Sequence, residues 1–434
     1  MKKRYFIILF MSTVLFLVGC RTIEKNQASS QQENLNYDIQ YHMYKTPDEF
    51  KDIIKIEFML VDGGPHMANN ILVTQDKKIY DIMSMIEESE PLTDESKIND
   101  KMSGMARENN KMIITKVDGS KNEMAFSYDT LYEVGYIDID GEKIKPDYSF
   151  FRYVYELEEY TNSDTKIEQR IVELFDKYNW TVDYKINTST WKLPENLKHK
   201  AGEYPIKIYW AYNNELSKKI QFDFTGYLGR DVVVEIYRLR EQLPEFMKPR
   251  RDARGIVLKY DNKIIGAYID AGRHYSFACS LDRKGLKEIT GKQWDRWVID
   301  YIDYNDDLEI ELSNMGPEDI IKEYFNALDK NDTKKMLACL TRKNLVQYLS
   351  TNLNNHNLFN DDKIDNNIKS AKLLDIEEFT GMDNGSDILE YKVEVDFDFK
   401  KSITSEDGIA SRFVIMKKES EKSGWRIDGI GTGP

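Results

Sequence analysis

Asp270-Ala271-Gly272-Arg273-His274 sets an acid, a guanidinium and an imidazole within one short stretch, directly after the apolar run 264–269. Arg230 and Asp231 open another candidate strand, and Arg250, Arg251 and Arg254 stand nearby in sequence. A guanidinium is a planar fork of donors. Arginines gathered with His274 at one sheet end would therefore grip a carboxylate or phosphate through paired contacts. The same side chains can instead pair with Asp231, Asp252 and Asp270 as solvated ion pairs, the ordinary fate of such charge runs. Arg230, Arg254, Arg273 and His274 are the candidate ligand-binding residues.

No catalytic residue is assigned. The histidines (His42, His66, His199, His274 and His356) are scattered, and the chain contains neither H-E-x-x-H nor C-x-x-C, so no metal or cofactor is expected. Ser163-Asp164-Thr165-Lys166 matches S-x-x-K without its partner motifs, and Ser163 is explained as a helix cap. Residues 285–292 miss a phosphate loop by one residue in glycine spacing, and Gln293 stands where Ser or Thr would hold the metal. Tyr204, Tyr209, Trp210 and Tyr212, with Trp191 upstream, could stack on sugar rings, but core packing is the plainer expectation. Cys279 and Cys339 have the apolar neighbours of buried free thiols.

The chain has 434 residues, 41% hydrophobic and 31% charged, with a formal charge of −14. This suits several folded domains. Its beginning is different. Lys2, Lys3 and Arg4 precede an apolar run over 5–18, which is too short to span a bilayer and has the form of an export signal. Leu17-Val18-Gly19-Cys20 resembles the lipobox of bacterial lipoproteins. That resemblance implies cleavage after 19, a diacylglyceryl group with palmitate-type chains on Cys20, and a cell-membrane location facing outside the cytoplasm. Removal of the three leading cations takes the charge from −14 to −17. Such a body is repelled by phosphate backbones and anionic head groups, so no nucleic acid partner is expected and the lipid must hold the membrane.

Residues 1–19 thus read as signal peptide and 20–36 as lipidated cysteine plus polar tether, with a reach of about 20–25 Å. Residues 37–160 read as a small α+β domain, with a strand over 53–60, a helix capped by Asp76 and strands over 112–117, 124–128 and 134–139. Residues 161–305 form a second α+β domain. Its helix carries Ile167, Ile171, Leu174, Phe175 and Tyr178, Asp261-Asn262 turns a hairpin, and Thr290 caps a helix bearing Trp294 and Trp297. After the acidic stretch 303–311, residues 316–434 place helices first, with Pro317 at a first turn and Asp332 as a cap. An antiparallel sheet then includes the alternating Tyr391, Val393, Val395, Phe397 and Phe399.

This last domain resembles the nuclear transport factor 2-like α+β cone, on Tyr324-Phe325-Asn326-Ala327-Leu328-Asp329-Lys330-Asn331-Asp332, Gly424-Trp425-Arg426-Ile427-Asp428 and the tail Gly431-Thr432-Gly433-Pro434. The resemblance implies helices packed on a curved antiparallel sheet around a pocket. Tyr324, Tyr348, Tyr391 and Trp425 are candidates for its lining, and Asp329 is expected at a solvated helix end. Residues 161–305 resemble a lipoprotein-associated family without assigned function, on Gly229-Arg230-Asp231-Val232, Ile264-Ile265-Gly266-Ala267-Tyr268 and Trp294-Asp295-Arg296-Trp297. The expectation is an α+β, lipid-anchored binding or interaction protein without catalytic activity, meeting an envelope protein or wall component. The alternatives are a cell-envelope hydrolase and a small-ligand sensor using the cone pocket or a polar pocket between the last two domains.

Overall fold

The computed structural model describes residues 40–43, 47–61, 70–93, 98, 102, 107–129, 134–157, 166–247, 252–271, 277–346, 367–379, 387–401 and 407–433. The fold is α+β, and its described strands form antiparallel sheets.

Strand β1 (Tyr41–Met43) precedes a sheet made from β2 (Ile53–Met59), β3 (Asn70–Val73), β4 (Glu90–Pro91), β5 (Arg107–Lys116), β6 (Lys121–Asp129), β7 (Val134–Ile139) and β8 (Glu142–Lys145). Their order is β3-β2-β5-β6-β7-β8-β4. Period-two burial puts Ile56, Phe58, Met112, Ile114, Phe126 and Tyr128 on the covered face. Helices α1 (Asp76–Glu87) and α2 (Tyr148–Glu156) close that face with Ile79, Ile82, Phe150 and Phe151. Gly135 allows the close approach, since a Cβ there would meet the Phe151 ring at 2.6 Å. Asp76 is the first helical residue rather than the cap. Gln75 takes the cap position and makes no side-chain cap bond.

In the second unit, β9 (Lys166–Glu168) pairs with β1, so Ile167 lies in a strand and not on the helix its spacing suggested. Pairing with a segment far earlier in the chain overrides the local period. Helix α3 (Gln169–Asp176) follows. Then β10 (Val182–Lys192), α4 (Ile206–Lys219), β11 (Asp231–Gln242), β12 (Asp252–Tyr260) and β13 (Lys263–Asp270) build a meander in the order β10-β11-β12-β13. Asp261 and Asn262 both have positive φ, 45° and 64°, as a two-residue hairpin turn requires. Thr290 ends α5 (Leu286–Thr290), its hydroxyl donating to the Leu286 carbonyl at 2.8 Å. Gln293 takes the cap position of α6 (Trp294–Trp297) instead. One sheet face shares a continuous apolar core with the first unit through Tyr184, Trp191, Tyr209, Trp210 and Trp297. The other face packs on α3 around Phe175, Val257 and Cys279.

The third unit has α7 (Asp307–Ser313), α8 (Pro317–Asp329), α9 (Thr333–Ala338) and α10 (Arg342–Leu345). They precede a sheet of β14 (Ile368–Glu378), β15 (Ile388–Phe399), β16 (Gly408–Ser420) and β17 (Gly424–Gly431) in sequential order. Asp332 caps α9 by accepting from the Lys335 amide at 3.0 Å. Ile320, Ile321 and Phe325 of α8 meet Tyr391, Val393, Val395 and Phe397 of β15 in a second core. The second and third units touch closely. Gly202, at φ +75°, lies where a Cβ would meet the Lys334 carbonyl oxygen at 2.3 Å.

Candidate functional site

Antiparallel register decides what the arginine cluster can be. Arg254 stands opposite Arg238 on β11, whereas Arg230 immediately precedes Asp231 at the other end of that strand. The eight intervening steps amount to about 26 Å. Arg230 and Arg254 therefore do not share one sheet end, against the sequence expectation. Arg230 is exposed. Arg254 is buried across from Asp270, with Nη2 2.7 Å and Nε 3.2 Å from Oδ1. The pairing alternative describes Arg254, but in the interior rather than at the surface. Arg250, Arg251, Arg273 and His274 lie outside the described residues, as do Cys20 and the tether.

The aromatic candidates are core. Tyr209, Trp210, Tyr212 and Trp191 are all buried, and Trp210 meets Trp191 and Tyr209 edge-on at ring separations of 5.8 and 5.2 Å. Tyr324 and Tyr391 belong to the third unit's core, with Trp425 packed against it. Tyr348 lies outside the described residues. Asp329 is not merely solvated. Its Oδ1 accepts from the Ala371 amide at 2.9 Å, tying the end of α8 to β14.

A more open space lies between the second and third units, a cleft of about 230 Å³. Asp295 and Arg296 of α6, with Val298, form one wall. Asp387 and Ile388 at the start of β15, with Lys417, Lys418, Glu419 and Ser420 at the end of β16, form the other. Thr341, Lys343 and Asp428 close its base. Short turns on rigid elements hold these groups. Lys417 bridges the walls to Asp295 at 3.3 Å, Lys343 pairs with Asp428 at 3.1 Å, and the Thr341 hydroxyl donates to Asp428 at 2.9 Å. Arg296 and Asp387 make no ion pair among the described residues, leaving one charge of each sign to meet a ligand.

Beneath the cleft lies a buried quartet: Glu309 of α7, Arg342 of α10, Glu419 of β16 and Arg426 of β17. Arg342 Nη2 is 2.5 Å from Glu309 and Nη1 is 2.7 Å from Glu419, while its backbone amide donates to the other Glu419 oxygen at 2.5 Å. Arg426 reaches Glu309 at 3.2 Å and donates to the Ser423 carbonyl at 2.6 Å. Burial would raise the Glu309 carboxyl, but Arg342 and Arg426 hold it below the ordinary carboxylate range. Two acids and two bases make the cluster neutral.

His199 is buried beside the quartet, and burial, reinforced by Arg342, lowers it to about 3. The ring is therefore neutral, and Nε2, 3.0 Å from the Glu203 carbonyl oxygen, carries the proton. Burial pushes the Cys279 and Cys339 thiols up to about 12, which suits packing and not nucleophilic attack. Among the described residues no group of three His, Cys, Asp or Glu is placed to hold a metal. No described helix is long and apolar enough to cross a membrane.

Sequence reasoning missed the quartet, and it offered a polar pocket between the last two domains only as an alternative, without the residues that line the cleft. One signal was available. Asp306 and Glu309 have N-cap spacing, and Asp306 does accept from the Glu309 amide at 3.2 Å, which turns a supposed acidic connector into α7. Nothing local announces that Glu309 and Glu419 share one arginine.

Two segments match known families. Residues 174–269 match a domain of unknown function (DUF4830), and residues 318–431 match another (DUF4829). No curated protein matches the chain. Among solved structures, a cystatin-like protein from Ruminococcus gnavus ATCC 29149 is similar at TM-score 0.20 and 12% identity. The match covers 46% of this chain and 58% of that one, a likeness too slight to argue from.

Proposed function

We propose that this chain is a lipid-anchored, extracytoplasmic binding protein that takes a small polar ligand carrying both signs of charge in the cleft between its second and third units. The observation that carries the reading is the cleft itself, where Arg296 and Asp387 make no ion pair among the described residues and sit above a neutral, buried ionic floor. A floor held by four mutually paired charges resists rearrangement, so the rim presents a preorganised pattern. Membrane attachment through Cys20 belongs to the same proposal and rests on the basic, apolar and lipobox-like start of the chain. So does the nuclear transport factor 2-like character of the third unit, supported by helices laid on one face of a four-stranded antiparallel sheet. Catalysis is not part of the reading, because the described groups at the cleft include no activated nucleophile.

The test recovers the full chain from membranes of its host and identifies co-purifying small molecules by mass spectrometry, beside an Arg296→Glu variant. A zwitterionic or otherwise doubly charged compound present with the native chain and depleted at least about tenfold with the variant supports the reading. An identical set from both chains contradicts it. Cys20→Ala is expected to release the protein from the membrane fraction, and retention would contradict the anchor.

A further inference from the structure

Most charged side chains lining the cleft between the second and third units are already matched. Lys417 pairs with Asp295 at 3.3 Å, Lys343 with Asp428 at 3.1 Å and Lys418 with Glu421 at 3.3 Å, and Glu419 is committed to Arg342 at 2.7 Å. Arg296 and Asp387 are exposed and make no ion pair among the described residues. They stand on opposite walls. Arg296 follows Asp295 in α6, whereas Asp387 leads into β15, where its carbonyl accepts from the Lys418 amide at 2.9 Å and Ile388 faces Lys417. The Lys417–Asp295 pair therefore joins the two walls beside both of these charges.

That bridge limits the width of the cleft. A lysine stem reaches about 6 Å, so the β16 backbone lies within about 10 Å of the Asp295 carboxylate. Such a gap admits one extended chain and no thicker body, since stacked layers of chain lie about 10 Å apart. The volume, about 230 Å³, sets the length. At roughly 10–15 Å³ for each water, it suits a ligand of about 15–20 heavy atoms. A small α-amino acid fills less than half of that. A peptide of two or three residues fills it and sets its terminal charges about 7–10 Å apart.

The lining chemistry points the same way. Val298 and Ile388, one on each wall, offer apolar contact to small side chains. Among the described lining residues there is no aromatic ring to stack on a sugar. A phosphate group would bring surplus negative charge toward Asp387 and Glu421. We infer that the cleft binds a short linear peptide of two or three residues with both ends free, its carboxylate on the Arg296 fork and its ammonium on Asp387. This rests on the cleft being a site for a doubly charged ligand, and it names the class of that ligand. Length and free termini are what the site selects, because the remaining charges are occupied by one another.

The experiment is calorimetric titration of the full chain with alanine, dialanine, trialanine and tetra-alanine, and with trialanine acetylated at its N-terminus or amidated at its C-terminus. Saturable binding of dialanine or trialanine at one site is expected, at least about tenfold weaker for alanine and for each blocked form. Arg296→Glu and Asp387→Lys, both at exposed positions and checked for native circular dichroism, should each weaken it by a similar factor. Alanine binding as tightly as the peptides would overturn the peptide class and leave a doubly charged ligand standing. No saturable binding by any of these probes also overturns the peptide class, and the compounds that co-purify with the chain then decide the broader proposal. Equal affinity for free and blocked trialanine, or unchanged affinity in both folded variants, overturns the placement on Arg296 and Asp387.

Discussion

Both junctions between units bury charge, but they differ in how it is held. Between the second and third units, Glu309 and Glu419 meet Arg342 and Arg426 one for one. Between the first and second, Lys77 meets Asp81 and Asp183 and Arg238 meets Asp183, while the buried Lys78 ammonium sits 5.6 Å from the centre of the Tyr184 ring. A paired set costs little once formed and breaks badly when one member is removed, whereas a desolvated ammonium held by no direct ion pair costs stability in its charged form. The first arrangement fits a fixed floor. The second buries an ammonium at a cost to its charged form.

The contrast gives predictions of opposite sign. Glu309→Gln leaves Arg426 without its carboxylate and weakens Arg342, so it should cost about 3–5 kcal/mol, read from the urea midpoint of the third unit. An unchanged midpoint would mean the quartet is not what joins these elements. Lys78→Met, measured at pH 7, should be neutral or stabilise by about 1–3 kcal/mol, because a desolvated ammonium is removed. Clear destabilisation would show that Lys78 has a partner in the folded protein.

The pH dependence sharpens the same point. Lys78 falls from 10.5 to about 8 on folding, so between those values the unfolded chain holds more protons than the folded one. Stability should therefore rise as pH increases through that window, by on the order of 2–3 kcal/mol at most, and Lys78→Met should flatten the rise. A wild-type curve with no such rise, or the same rise in both proteins, would remove Lys78 as its source. The smallest effect belongs to the exposed rim. Lys343→Ala breaks a solvent-facing pair with Asp428 and should change stability by less than about 1 kcal/mol. A larger loss would make the rim part of the weld.

What could be read from the sequence was local. The alternation through Tyr391 and Phe397, the Asp261-Asn262 turn, Pro317 at a first helical turn and the Asp332 cap each depend on neighbours within a few residues, and each is present. Ile167 and Thr290 fell on the wrong side of element boundaries because distant pairing and a helix end decided them. The site was harder still. The arginines between 230 and 273 looked neighbourly in sequence, but an antiparallel meander carries Arg230 and Arg254 to opposite ends. Glu309 and Glu419, 110 positions apart, converge on Arg342 instead. Lys78 was invisible for the same reason. Its burial depends on β10 bringing Asp183 and Tyr184 beside α1.

The most direct measurement is therefore the titration of Lys78 itself, followed by NMR of the full chain with carbon-13-labelled lysine and assigned with Lys78→Arg. The signal should titrate near 8, well below an exposed lysine. A Lys78 that titrates like a solvent-exposed lysine would contradict the claim that this junction buries a desolvated ammonium.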